Sequence, residues 1–505
     1  MKKYIYITII TIGIFSLTTT SCSDEFVNRE PEYSIDTENY FNSKTDYDNA
    51  LVAAYDPLQS TYVNVLLGEI ASDNTLAGGE SPTDVIGFQQ IDDMIHTPVN
   101  DNLKNLWDWM FGGVQRANYI LEFKDKTDFE GKTQIIAETR FLRAYYHFEL
   151  VKWFGGIPMN GDKRFVPGDE TKVPRSSVAE VYASIESDLI FASQNLSPNA
   201  SQTGRATKGA ALALLGKAYL YQNKFSEAAA ALEQVITSQK YSLVTDYASI
   251  FEMAGENGTE SVFEVQYTDV EGAGFPCLQC SEGNVAVGFS GIRSYKLSPV
   301  IPGVPNPNPP PKYTSGFSFN VPTEETYNSF EVGDTRLNAS VLDIVAWNTA
   351  NKTEYGKGNE DTGYFNQKYL PRVRSGQAQG DLNLTNPNNY RAIRYADVLL
   401  MAAEALNRGG INDAKALVYL NQVRDRAFGD TNHRISSVGS ALTDVIWKER
   451  RAEFVGEGFR FFDLVRTGKA AGTIPGFKAG KNELFPIPLQ EIQFSAGNWN
   501  QNPGY

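Results

Sequence analysis

The strongest constraint on this fold is a recurrence of paired amphipathic helical runs, broken once by a long stretch in which the helical period fails. In Leu215-Gly216-Lys217-Ala218-Tyr219, followed by Ala228 and Leu232, apolar and small residues fall at the offsets of a tetratricopeptide hairpin with Asn223-Lys224 at its turn. A second hairpin covers 390–407 and 412–426 around Gly409-Gly410, and Ala416 and Leu420 repeat the Ala-x-x-x-Leu spacing. Hairpins of this kind cannot bury an apolar face alone, so they predict a stacked, solenoid-like frame. Helical patterning begins near Asp36, runs through Tyr47, Leu51, Ala54 and Tyr55, and is interrupted at Pro57. Further helices are predicted over 103–123, 135–154 and 177–195, the second stopping at Gly155-Gly156-Ile157-Pro158. Trp107, Trp153 and His147 lie within these helices and are assigned to packing.

Two regions escape the pattern. Residues 71–100 form a polar loop with Asp73-Asn74-Thr75-Leu76-Ala77-Gly78-Gly79, the kind of segment in which a rigid frame carries binding residues. Residues 260–390 hold many glycines, prolines such as Pro302, Pro305, Pro307 and Pro309-Pro310-Pro311, and strand-like pieces such as Ser261-Val262-Phe263-Glu264-Val265. A structureless loop of that length is improbable inside a domain, so the stretch reads as a mixed subdomain inserted between repeats.

Lys2-Lys3, an apolar run from Tyr4 to Leu17 and Thr19-Thr20-Ser21-Cys22 read as a signal peptide over 1–21 ending in a lipobox-like site, with Cys22 as the acylated first mature residue. An ordinary signal peptide cleaved nearby is the competing reading. Residues 22–34 read as a polar tether, and Ser23-Asp24-Glu25 resembles the acidic export signal of surface lipoproteins of the Bacteroidota. The formal net charge of −15, two units more negative without Lys2 and Lys3, argues against nucleic acid and against anionic membrane surfaces. Cys277 and Cys280 lack a second pair or clustered His to complete a metal site, so no metal is expected, and a local disulfide is favoured over free thiols in an oxidising exterior.

The three His residues, His96, His147 and His433, are far apart, and no nucleophile elbow, phosphate loop or dinucleotide fingerprint occurs. A pair of catalytic acids has no fixed sequence spacing, which leaves a glycosidase open. Sugar binding requires flat aromatic faces together with amides and carboxylates. The candidates are Asp73, Asn74 and Phe88 in the first loop and Tyr295, Tyr313, Phe317, Trp347 and Tyr364 in the insertion, each weighed against plain core packing. The charged stretch from Lys448 to Gly468 places Glu449 and Glu453 one helical turn apart with Arg450 and Arg451 between them, as either a carboxylate site or an ion-paired helix.

Taken together, Arg140-Phe141-Leu142-Arg143-Ala144 with Phe154-Gly155-Gly156-Ile157-Pro158, Ala403-Glu404-Ala405 with Asn421-Gln422-Val423-Arg424, and Glu449-Arg450-Arg451-x-Glu453-Phe454 with Arg460-Phe461-Phe462-Asp463-Leu464 resemble the SusD/RagB family of outer-membrane lipoproteins. Pro486-Ile487-Pro488 and Asn502-Pro503-Gly504-Tyr505 fit as well. The resemblance implies a mostly α fold over 35–505: tetratricopeptide-like hairpins mainly at 35–70, 103–250 and 390–470, and an irregular ligand-binding insertion at about 260–390. It implies a non-enzymatic, surface-exposed glycan-binding protein of the outer membrane, without cofactor, that serves a SusC-like TonB-dependent transporter; the acidic balance favours a neutral glycan. A helical-toroid glycoside hydrolase or polysaccharide lyase and a peptide-binding RagB-like member are the alternatives. On this resemblance Glu449, Arg450, Glu453, Arg460 and Asp463 are expected to form a structural ion-pair network, since family members with different ligands share the stretch.

Overall fold

The computed structural model describes residues 40–272, 274–298, 312–374 and 376–505. Cys22, the expected signal and tether, and the proline-rich run 302–311 lie outside the described residues. The fold is mostly α, with seventeen α-helices among the described residues and only short strands.

The helices that build the frame are α1 (Lys44–Tyr55), α2 (Val63–Ile70), α3 (Ile86–Asp92), α4 (Asp101–Glu122), α5 (Lys132–Phe154), α6 (Val178–Asn195), α7 (Lys208–Tyr221), α8 (Phe225–Thr237), α9 (Tyr395–Arg408), α10 (Asp413–Phe428), α11 (Gly439–Phe454) and α12 (Arg460–Arg466). Their ends follow local chemistry. Ser43 and Asp46 form a capping box at α1, Ser177 and Glu180 another at α6, and Asn100 caps α4. The α5 helix stops at Gly155, whose φ of 73° is readily adopted only without a side chain.

From α4 to α10 each helix packs against the next, and α11 returns onto α9. The tetratricopeptide-like glycine has a visible use: a Cβ on Gly216 of α7 would fall 2.4 Å from Leu232 Cγ of α8, so only glycine allows this approach. Lys217 of the same motif reaches across to Asp397 of α9 at 2.9 Å. Although about 160 residues separate α8 from α9 in sequence, the two pack directly, and the stack continues across the insertion.

The base of that insertion is closed by β2 (Ser261–Val265) pairing antiparallel with β4 (Tyr390–Arg394). Residues 390–394, predicted as the start of a helix, are therefore a strand. Their partner lies far away in sequence, where local periodicity cannot detect it. The first loop is also more regular than predicted: it holds β1 (Thr75–Gly78) and α3, and β1 pairs antiparallel with β3 (Phe319–Pro322) of the insertion. The two irregular regions are thus joined into one face.

The charged stretch lies where insertion, neck and repeats meet. Glu453 of α11 accepts from Arg336 at 2.9 Å, Arg394 at 2.8 Å and Arg426 at 2.7 Å. Glu457 takes Arg394 at 2.7 Å and Lys368 at 2.8 Å, and Glu449 takes Arg336 at 2.7 Å and Arg424 at 2.6 Å. Arg450 joins Asp397 at 2.8 Å to Asp463 at 3.1 Å. Apart from the partly exposed Asp463, these side chains are almost wholly withdrawn from water, and each carboxylate faces more than one cation or donor, as burial of charge requires. Gly458 completes the junction: its backbone N–H donates to Glu69 at 2.7 Å, and a Cβ there would collide with the Asn64 carbonyl at 2.1 Å.

Candidate functional site

The joined irregular face encloses a cavity of about 460 Å³. Its floor is aromatic: Phe88 of α3 meets Phe319 edge-on at 5.3 Å and Phe289 at 5.7 Å, and Phe289 meets Phe317 at 5.7 Å. Phe88, Phe289 and Phe319 are buried, whereas Phe317 is half-buried. One wall is the N-terminal part of α4, where Asn102, Asn105 and Trp109 fall on one face at helical spacing, and Trp109 leans on Tyr62 at 6.1 Å. The other wall is the turn Phe275–Cys280, which contributes Phe275 and Leu278 and is closed by a disulfide between Cys277 and Cys280 with Cα atoms 5.3 Å apart.

Polar groups punctuate this apolar lining. Among the described residues, the side-chain amides of Asn102 and Asn105 have no protein hydrogen-bond partner. Arg293 is held in place by donation to Ser318 Oγ and the Phe317 carbonyl, each at 3.2 Å, and lies 3.4 Å from Glu80 and 3.8 Å from Asp84. Rings for stacking, free amides and a braced charge group make a site suited to hydroxyl-rich, partly apolar molecules.

The eight candidate residues separate into four places. Phe88 and Phe317 line the cavity. Asp73 and Asn74 do not: the Asp73 carboxylate is bonded bidentately by Arg460 at 2.7 and 2.8 Å and lies 3.1 Å from Arg451. Burial pushes the Asp73 carboxyl up, but Arg460 and Arg451 outweigh it and hold it below the usual range. Asn74 is 0% exposed, donates to Glu69 at 3.0 Å and accepts from Arg451 at 3.1 Å, so its amide is occupied by the frame. Tyr295, Tyr313 and Trp347 come together in a separate small core with Leu342, Ile344 and Phe365. There the Trp347 indole N–H donates to the Tyr295 hydroxyl at 2.8 Å, and Tyr313, only 1% exposed, packs on Trp347 at 5.2 Å. Tyr364 stacks on Tyr327 at 4.5 Å with 20° between the rings, both half-buried, outside the cavity.

Sequence reasoning passed over Trp109, Asn102 and Asn105. The signal was present: on a helix whose apolar face carries Leu103, Leu106, Trp107 and Met110, a tryptophan off that face is out of place unless something covers it. Trp107 and Trp153 are core residues, as predicted, and His147 is buried, which lowers its pKa to about 3 and keeps the imidazole neutral.

A helical-repeat scaffold presenting a concave aromatic site from inserted loops is the class of protein this architecture defines. Residues 291–481 match a profile described as the SusD family, and residues 25–220 match one described as starch-binding, associating with the outer membrane. SusD-like protein P38 of Formosa agariphila is 27% identical over 93% of each chain. A solved structure of a laminarin-binding SusD-like protein is 35% identical, covers 92% of this chain and 100% of its own, and superposes with a TM-score of 0.83. Surface glycan-binding protein A from Bacteroides thetaiotaomicron, solved in complex with laminarihexaose, is 29% identical over 91% of this chain and 99% of its own, with a TM-score of 0.78. The chain belongs to the SusD/RagB family.

Proposed function

We propose that this protein is a cell-surface glycan-binding lipoprotein that captures laminarin or its oligosaccharides and hands them to a SusC-like TonB-dependent transporter without breaking a bond. The observation that carries this reading is the cavity with its edge-on aromatic floor and the amides of Asn102 and Asn105, unpartnered among the described residues, in a chain whose 35%-identical solved relative is described as laminarin-binding. Aromatic faces cover the apolar faces of pyranose rings, and amides bond their hydroxyls. Laminarin is a neutral glucan, which suits an acidic protein.

In this reading residues 1–21 are a signal peptide, Cys22 carries the lipid that anchors the protein at the outer membrane, and 22–34 form the tether. Residues 35–505 form one domain whose repeat face meets the transporter, and the function needs no cofactor. Among the described residues no helix is long and apolar enough to cross a membrane, which is compatible with attachment through a lipid. The ligand residues are Phe88, Phe317, Trp109, Asn102 and Asn105, with the half-buried pair Tyr327 and Tyr364 as a second contact surface.

Titration calorimetry with laminarihexaose, paired with a reducing-sugar assay on laminarin, tests the proposal. Saturable binding with no sugar released is expected. Absence of binding to laminarihexaose, or steady release of reducing ends, would overturn it.

A further inference from the structure

We propose that the disulfide-closed turn Phe275–Cys280 is the specificity element of the cavity, with the Cys277–Cys280 bond acting to hold Phe275 and Leu278 at its wall. This rests on the reading of the cavity as a glucan site. Phe275 is 54% exposed although it lines a concave site, and its ring lies 5.6 Å from Phe317. An exposed phenylalanine beside a binding cavity is apolar surface that a ligand would cover. It has no counterpart in the buried aromatic floor, so the turn can alter what the mouth accepts without altering the core.

The bridge is poorly placed to stabilise the whole protein. It joins residues only three apart in sequence, and closing so short a loop removes little entropy from the unfolded chain. A chain of 505 residues with an extensive core has no need of a staple. What the bridge does is local. The turn consists of two helical pieces broken at Cys277, where φ is −146° and ψ is 83°, and the bond ties this kink residue to Cys280 across Leu278. Leu278, on the far side of the kink, rests on the main core, so pinning the kink fixes Phe275 relative to the core and to Phe317. Downstream, Glu282 continues the brace: its carboxylate accepts from Gln59 and its carbonyl from the Thr268 N–H at 2.9 Å. The turn is thus a rigid rim set by covalent geometry on an otherwise side-chain-packed site.

An exposed ring at the mouth meets the chain as it leaves the cavity, so it discriminates between glucans of the same sugar whose linkage directs the chain differently past Phe275. The test is titration of the full-length mature protein with laminarihexaose and cellohexaose, two hexasaccharides of glucose that differ in linkage. Phe275→Ala and the double variant Cys277→Ser/Cys280→Ser should each weaken laminarihexaose about ten-fold and narrow its preference over cellohexaose, with the melting temperature changed by no more than about 2 °C. Laminarihexaose affinity within about two-fold of wild type in either variant would overturn the proposal, as would a wild type without linkage preference. A large fall in melting temperature for the double variant would also overturn it, because the bond would then be a staple of the fold. Trp109→Ala separates the two levels of argument. If it abolishes binding while Phe275→Ala does nothing, only the role of the turn fails; if it changes nothing, the cavity reading fails with it.

Discussion

Arg394 and Glu453 lie 2.8 Å apart, both withdrawn from water, one at the end of the strand that closes the insertion and the other on the last long repeat helix. Through this pair and its neighbours the insertion is locked onto the frame. The network is balanced, with Glu260, Glu449, Glu453, Glu457 and Asp334 facing Arg336, Lys368, Arg394, Arg424 and Arg426. Buried charge is tolerated here because every member is paired, and a single deletion leaves its partners exposed to the full cost of burial.

Arg450→Ala is expected to destabilise the fold by about 3–5 kcal/mol, since it leaves Asp397 and Asp463 facing each other with one fewer cation. Chemical denaturation measures the loss. The folded variant should bind laminarihexaose with unchanged affinity, because none of these groups reaches the cavity. Weakened binding at undiminished stability would return the charged stretch to the site.

Trp109→Ala and Tyr313→Ala should part company. Trp109 lines the cavity, so its loss should weaken laminarihexaose at least ten-fold, about 1.4 kcal/mol or more. Tyr313 is 1% exposed in the small second core, so its truncation should cost about 3–5 kcal/mol of stability and leave the affinity of the folded protein alone. Calorimetry and thermal melts on both proteins decide the matter, and a reversed pattern would move the site to the insertion core.

Acid should unfold the frame early. Burial opposes ionisation of Asp397 and Glu404, but Lys217 and Arg450 around Asp397, and Arg466 on Glu404, outweigh it and bring both carboxyls to about 2. These folded-state values lie below the unfolded ones, so the stabilisation is complete above about pH 4.5 and is lost as pH falls toward 2. Melting temperature followed from pH 7 to pH 3 should fall steeply below pH 4.5, and Glu404→Gln should flatten that fall while lowering stability at pH 7.

Asp92 should do the opposite. Burial pushes its carboxyl up to about 7, against the Ala77 N–H that donates to it at 2.6 Å, and Glu360 adds repulsion. A raised folded-state pKa means stability that is full below about pH 4 and declines toward pH 7, at a slope approaching 1.4 kcal/mol per pH unit. Asp92→Asn, which can still accept from Ala77, should match wild type at pH 4 and exceed it at pH 8. Equal stability at pH 8 would show that Asp92 is ionised without cost.

The sequence by itself determined most of the helices, the repeat frame and the irregular region between its hairpins, whereas the pairing of the charged stretch was expected only from the family resemblance, and residues 390–394 turned from helix to strand. Those elements rest on local periodicity and its loss, which are readable from neighbours in the chain, while Glu453 finds Arg336 and Arg394 at separations of 117 and 59 residues, which no local pattern shows. Tertiary structure alone decided which aromatics line the cavity. Phe317 and Tyr313 look alike in sequence, four residues apart in the same insertion, yet one lines the cavity and the other is sealed behind Trp347. Their fates depend on β1 pairing with β3 and on α4 bringing Trp109 and Asn105 to the same opening, contacts between segments some two hundred residues apart. Burial of a ring is set by what packs over it, and that partner is chosen by the fold as a whole.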